Sequence, residues 1–133
     1  MTPFSLAIQG LYSYRRFVTA VNGRGGVLIV GAGRYGRELA RRLRRRPELG
    51  LEVIGFLDDR PETAGQTCEG ARVLGPCREL DVVLGDRRIT EVALALPEED
   101  LDLIEELVDV CRESGVPVSL VGITVRKDDQ GSL

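Results

Sequence analysis

The chain of 133 residues contains no histidine and no tryptophan, and Lys127 is its only lysine. These absences remove the commonest general base and the usual Schiff-base nucleophile. Its three cysteines, Cys68, Cys77 and Cys111, form no C-x-x-C pair, so neither a disulfide framework nor a cysteine-rich zinc site is indicated. Cys111 reads as core and the other two as reduced loop thiols. No run approaches the roughly 18 to 20 apolar residues of a spanning helix, and the start lacks the charged, apolar, small-residue order of a secretory signal. A cytoplasmic protein is therefore expected. The net charge of −3 offers no electrostatic case for nucleic acid as a partner. With 43% apolar and 29% charged residues, the composition is that of one soluble globular domain.

What is present is concentrated in Val27-Leu28-Ile29-Val30-Gly31-Ala32-Gly33-Arg34-Tyr35-Gly36, an apolar run entering a G-x-G-x-x-G turn. Gly31 suits the tight turn, Gly33 lets a backbone approach a pyrophosphate, and Gly36 lets helix and strand pack closely. A helix N-terminus behind them would offer unpaired N–H groups and a positive dipole end to an anion. The helix is expected from Arg34 to Arg46, with Leu39, Ala40 and Leu43 inward. Its seven arginines face one acid, Glu38. They read either as a solvated face or as a patch for an acidic partner or an anionic lipid surface. Pro47 stops the helix, and Leu51 to Leu57 reads as the second strand, ending at Asp58-Asp59. Asp58 follows Gly36 at close to the interval of about 20 residues expected for a ribose-binding carboxylate. Such a carboxylate favours NAD over NADP, a preference that neighbouring Arg60 softens. The alternative is a plain turn before Arg60-Pro61.

Around this corner the chain reads as three segments. Residues 1–26 have Phe4, Ala7, Ile8, Leu11, Tyr14 and Val18 at helical spacing, then a glycine-rich joint. This amphipathic helix could fold back on its own domain, form a dimer contact or connect to a membrane. Residues 27–122 form the domain proper. After a turn-rich stretch holding a short strand at Val73-Leu74, a short helix is expected from Pro76 to Leu84. Ile89 to Leu96 then reads as a strand buried on both faces, although Glu91 interrupts it. Pro97 opens a helix lined by Leu103, Ile104, Leu107, Val108 and Cys111 and closed by Ser114-Gly115, and Val116 to Val121 is the last strand. Residues 123–133 read as a polar tail. With right-handed crossovers the order implies an α/β fold, a Rossmann-like doubly wound parallel sheet of four to five strands with an amphipathic N-terminal helix.

The running text "VLIVGAGRYGRELARRLRRRPELGLEVIGFLDDRPETAG", then "EGARVLGP", then "ITEVALALP", resembles the cytosolic nucleotide-binding-like (CoA-binding-like) domain of bacterial polysaccharide-biosynthesis proteins. That domain occurs in polyprenyl-phosphate glycosylphosphotransferases and before the catalytic domain of membrane-bound nucleoside-diphosphate-sugar epimerase/dehydratases. The resemblance implies a nucleotide site with Gly31, Gly33, Arg34, Tyr35 and Gly36 at the phosphates, Asp58 at the ribose, and Leu96 and Pro97 beside the pocket. The Tyr-x-x-x-Lys pair used by such dehydratases has no counterpart: Arg16, Val18 and Leu39 stand four residues after Tyr12, Tyr14 and Tyr35.

The expected function is thus a non-catalytic, NAD(H)-like nucleotide-binding or regulatory domain, with a small-molecule nucleotide as partner and a homodimer as the expected assembly. Membrane attachment would come only through parent segments. The alternatives are the cofactor half of an NAD-dependent nucleotide-sugar epimerase or dehydratase, or an NADH- or CoA-sensing module, with CoA or a nucleotide-sugar as other ligands.

Overall fold

The computed structural model of the chain describes residues 11–13, 25–97 and 100–123. The elements are β1 (Leu11–Ser13), β2 (Gly25–Val30), α1 (Arg34–Arg44), β3 (Leu51–Leu57), β4 (Thr67–Cys68), β5 (Ala71–Gly75), α2 (Leu80–Val83), β6 (Glu91–Leu94), α3 (Leu101–Ser114) and β7 (Val118–Ile123). They form one seven-stranded sheet in the order β1-β7-β6-β2-β3-β5-β4. The five inner strands are mutually parallel, and β1 and β4 close the edges as antiparallel partners of β7 and β5.

Strand β2 lies at the centre because every residue from Val27 to Val30 is apolar and can be buried on both faces. Val27 and Ile29 face α1, which covers them with Leu39, Ala40 and Leu43; Phe56 and Val73 complete that layer. Leu28 and Val30 face the opposite layer, where Leu80, Leu107 and Cys111 come from α2 and α3. The chain moves outward from β2 through β3 to β5, then returns through α2 to β6 on the other side of β2. This reversal puts the topological switch point of the doubly wound sheet between the carboxyl ends of β2 and β6.

The fold class expected from the sequence is present, with three differences. Seven strands replace four to five, since Gln66 to Gly75 forms a hairpin and Leu11–Ser13 adds an edge. At Leu11–Ser13 a strand stands where helical spacing pointed to a helix; the open edge of β7 supplies backbone partners that periodicity does not register. The rest of the expected leader helix and the tail from Thr124 lie outside the described residues. Finally, α3 starts at Leu101 rather than Pro97. Glu91 is 1% exposed despite its charge.

Candidate functional site

At the end of β2 the three motif glycines do different work. Gly31 has φ +109°, a left-handed conformation, and a Cβ there would lie 2.5 Å from the Ala95 carbonyl oxygen. A Cβ on Gly36 would lie 1.8 Å from the Gly31 carbonyl oxygen, so this glycine lets α1 seat against the turn. Both are packing requirements. Around Gly33 the nearest atoms belong to the Arg60 guanidinium, 3.5 Å away, so this position is open to approach from solvent. Gly33 caps α1 without any side-chain hydrogen bond, and no acid stands in the first turn. The leading N–H groups of α1 therefore have no acceptor from a capping side chain or from an acid in their own turn. Arg34 and Arg37 are exposed beside it, and Tyr35 is half-buried against the α1-side core. Two residues past β6, Leu96 reaches the turn, its Cδ2 being 3.3 Å from the Cβ position of Gly31, while Pro97 is exposed. The expected residues from Gly31 to Gly36 and Leu96-Pro97 are thus brought together.

Asp58 reaches the same corner, but its carboxylate is already engaged. Its Oδ2 accepts the Ala32 N–H at 2.7 Å and Arg60 Nη2 at 3.1 Å. Its Oδ1 accepts Arg60 N–H at 2.8 Å and Arg60 Nε at 3.0 Å, with the Thr63 hydroxyl at 3.1 Å. Burial opposes ionisation of this group, yet the hydrogen bonds from the Arg60 side chain, the Ala32 N–H and the Arg60 N–H prevail and hold its carboxyl down at about 2. Asp59 turns the other way and accepts the Cys77 N–H at 2.8 Å. The Cys77 thiol, pushed up to about 12 by burial and then by Asp59, is no nucleophile at neutral pH. Burial likewise raises Cys111 to about 11.

Beyond Asp58 a pocket of about 270 Å³ opens between the ends of β3 and β5, lined by Arg60, Pro61, Arg72, Leu74, Gly75 and Pro76 among others. This falls just below the roughly 300 to 1,000 Å³ of whole small-molecule sites, the size of a subsite rather than of a full cofactor cleft. Arg60, Thr63 and Arg72 were not among the expected site residues. For Arg60 the available signal was its position two residues after the acid. Among the described residues no His, Cys, Asp or Glu cluster could hold a metal, and no helix is long and apolar enough to cross a membrane.

The arginine face of α1 is mostly paired. Glu38 holds Arg41 and Arg42 (2.8 Å), and Glu69 of the β4–β5 turn holds Arg41 (2.9 Å) and Arg44 (3.0 Å).

A profile described as a CoA-binding domain matches residues 4–122. No curated protein matches the chain significantly. Among solved structures, a chain of UDP-D-quinovosamine 4-dehydrogenase from Vibrio fischeri is similar at 25% identity and TM-score 0.65, over 83% of this chain and 87% of that one. RSP, a Rex-family repressor, matches at 17% identity and TM-score 0.62, over 82% of this chain and 56% of that one. RSP in complex with beta-NADH matches at 16% identity and TM-score 0.61, over 82% and 57%. At such identities the repressor structures establish the fold alone.

Proposed function

The chain belongs to the CoA-binding domain family, and from that premise we propose that it is a non-catalytic, NAD(H)-like nucleotide-binding or regulatory domain of a bacterial polysaccharide or nucleotide-sugar biosynthesis protein. The observation that carries the reading is the contrast among the glycines: Gly31 and Gly36 are closed by backbone, whereas Gly33 is open in front of an uncapped helix N-terminus flanked by Arg34 and Arg37. An open glycine has no packing reason to be glycine. It leaves room for a diphosphate to meet the N–H groups of Arg34, Tyr35 and Gly36. Leu96 and Pro97 would border the ligand on the β6 side. The missing histidine and Tyr-x-x-x-Lys pair support a binding rather than a catalytic role.

A second reading, the cofactor half of an NAD-dependent nucleotide-sugar enzyme, is favoured by the Vibrio fischeri structure, which carries a dehydrogenase name and is matched over 87% of its chain.

Thermal melts of the purified chain against NAD, NADH, NADP, NADPH, coenzyme A and UDP-sugars test the proposal. A ligand at about 100 times its Kd adds about 2.7 kcal/mol. The expected result is an upward shift with a nucleotide that Gly33→Asp abolishes without lowering the melting point of the free chain. A folded chain unmoved by every ligand would overturn the reading, and turnover of a UDP-sugar with NAD would establish the second one.

A further inference from the structure

Asp58 stands where a ribose-binding acid belongs, yet four N–H groups already converge on it. Its side chain is 8% exposed, against 47% for its partner Arg60. A carboxylate has about four acceptor positions, so none is left for a ribose diol. The guanidinium, by contrast, is half used. Arg60 gives the edge formed by Nε and Nη2 to Asp58, and Nη1 makes no hydrogen bond among the described residues. That second edge lies over Gly33, with Nη1 3.9 Å and Nη2 3.5 Å from the Cβ position. Arg60 also lines the pocket at the ends of β3 and β5, together with Arg72, Pro61 and Leu74.

Building on the nucleotide reading above, we propose that Arg60 is the ligand-contacting and specificity-determining residue at the ribose end of the site, held in place by Asp58. The ligand it selects is an adenine nucleotide carrying a phosphate monoester on its ribose. An arginine fixed by a carboxylate on one edge offers two parallel N–H donors on the other, the geometry a phosphate accepts bidentately. The phosphate brings about two negative charges, which outweigh the single charge of an Asp58 already neutralised by its pair. Asp58 is thus a positioning residue. The preference for NAD that its identity implies is reversed by what it touches.

Two ligand pairs that differ only in this phosphate isolate the effect: NADP against NAD for the 2′ position, and coenzyme A against dephospho-coenzyme A for the 3′ position. Calorimetric titration of the full chain is expected to show at least tenfold tighter binding of the phosphorylated member in one pair, which also identifies the position. Arg60→Met should reduce that ratio to within about twofold, chiefly by weakening the phosphorylated member. Arg60→Lys, which keeps charge but not the fork, should fall between. Asp58→Asn should lower the ratio by loosening Arg60 while binding persists. If Asp58 instead receives the ribose diol, NAD or dephospho-coenzyme A binds tighter, Arg60→Met strengthens it and Asp58→Asn abolishes it. Either that pattern or equal affinity within both pairs overturns this inference and leaves the nucleotide reading standing. A folded chain that binds none of the four overturns this inference, and one that is also unmoved by every ligand of the thermal melts overturns both.

Discussion

At Gly33 an added methyl group would meet the Arg60 guanidinium at an ordinary contact distance of 3.5 Å, whereas at Gly36 it would collide with the backbone of Gly31. Gly36→Ala is therefore expected to destabilise the chain at or above the upper end of the roughly 1 to 3 kcal/mol typical of overpacking. Gly33→Ala should change stability by less than about 1 kcal/mol while weakening nucleotide binding, so urea unfolding combined with titration separates the two positions. Asp58 gives a pH signature. Folding depresses its pKa from 3.8 to about 2, so its stabilising share is complete above the unfolded value and is lost as the pH falls towards 2. With the Arg60 guanidinium about half in water, that share is on the order of 1 kcal/mol. The stability gap between the native chain and Asp58→Asn should accordingly narrow between pH 5 and pH 2, which acid-dependent denaturant midpoints would reveal.

Between elements, the connection that matters most for the site is the grip of the β4–β5 turn on α1. Glu69 and Gly70 both have positive φ, +49° and +83°, the pattern of a tight hairpin turn. Glu69 tolerates this while its carboxylate spans Arg41 and Arg44. The side chains are partly exposed, so Glu69→Gln should lower the melting point only slightly, and the loss should shrink in 1 M salt, where screening acts over about 3 Å. Gly70→Ala should cost about 1 kcal/mol independently of salt, because its origin is backbone strain. Thermal melts at low and high salt distinguish the two. The arginine-rich helix was visible in the sequence, but its partner acid 25 to 28 residues away was not. Pairing with Glu38 and Glu69 accounts for Arg41, Arg42 and Arg44 and leaves the open charge at Arg34 and Arg37, beside the glycine turn.

For the whole molecule, the two-layer core decides how much disturbance the site can absorb. Phe56 is fully buried, one strand over from Ile29 in the α1-side layer. Phe56→Ala should cost about 3 to 5 kcal/mol, a large part of the 5 to 15 kcal/mol available to a domain, and should lower the chemical-denaturation midpoint accordingly. Ligand binding at the switch point should recover part of that loss, since it ties β2, α1 and the end of β3 together.

The amino-acid sequence by itself determined the central strand, the glycine turn, the helix behind it and the doubly wound order, because each follows from short-range periodicity, glycine freedom and the handedness of crossovers. It also placed Asp58 at the corner. Only the tertiary structure decided which groups Asp58 engages there, since these include the Ala32 N–H, 26 residues earlier, and the Arg60 side chain folded back onto it. The same holds for the edges of the sheet: Leu11–Ser13 becomes a strand because β7 needs a backbone partner, a demand made by a segment more than a hundred residues away. Local rules write the frame of this site, while one long-range hydrogen bond, from the Ala32 N–H, anchors the Asp58–Arg60 pair at the glycine turn.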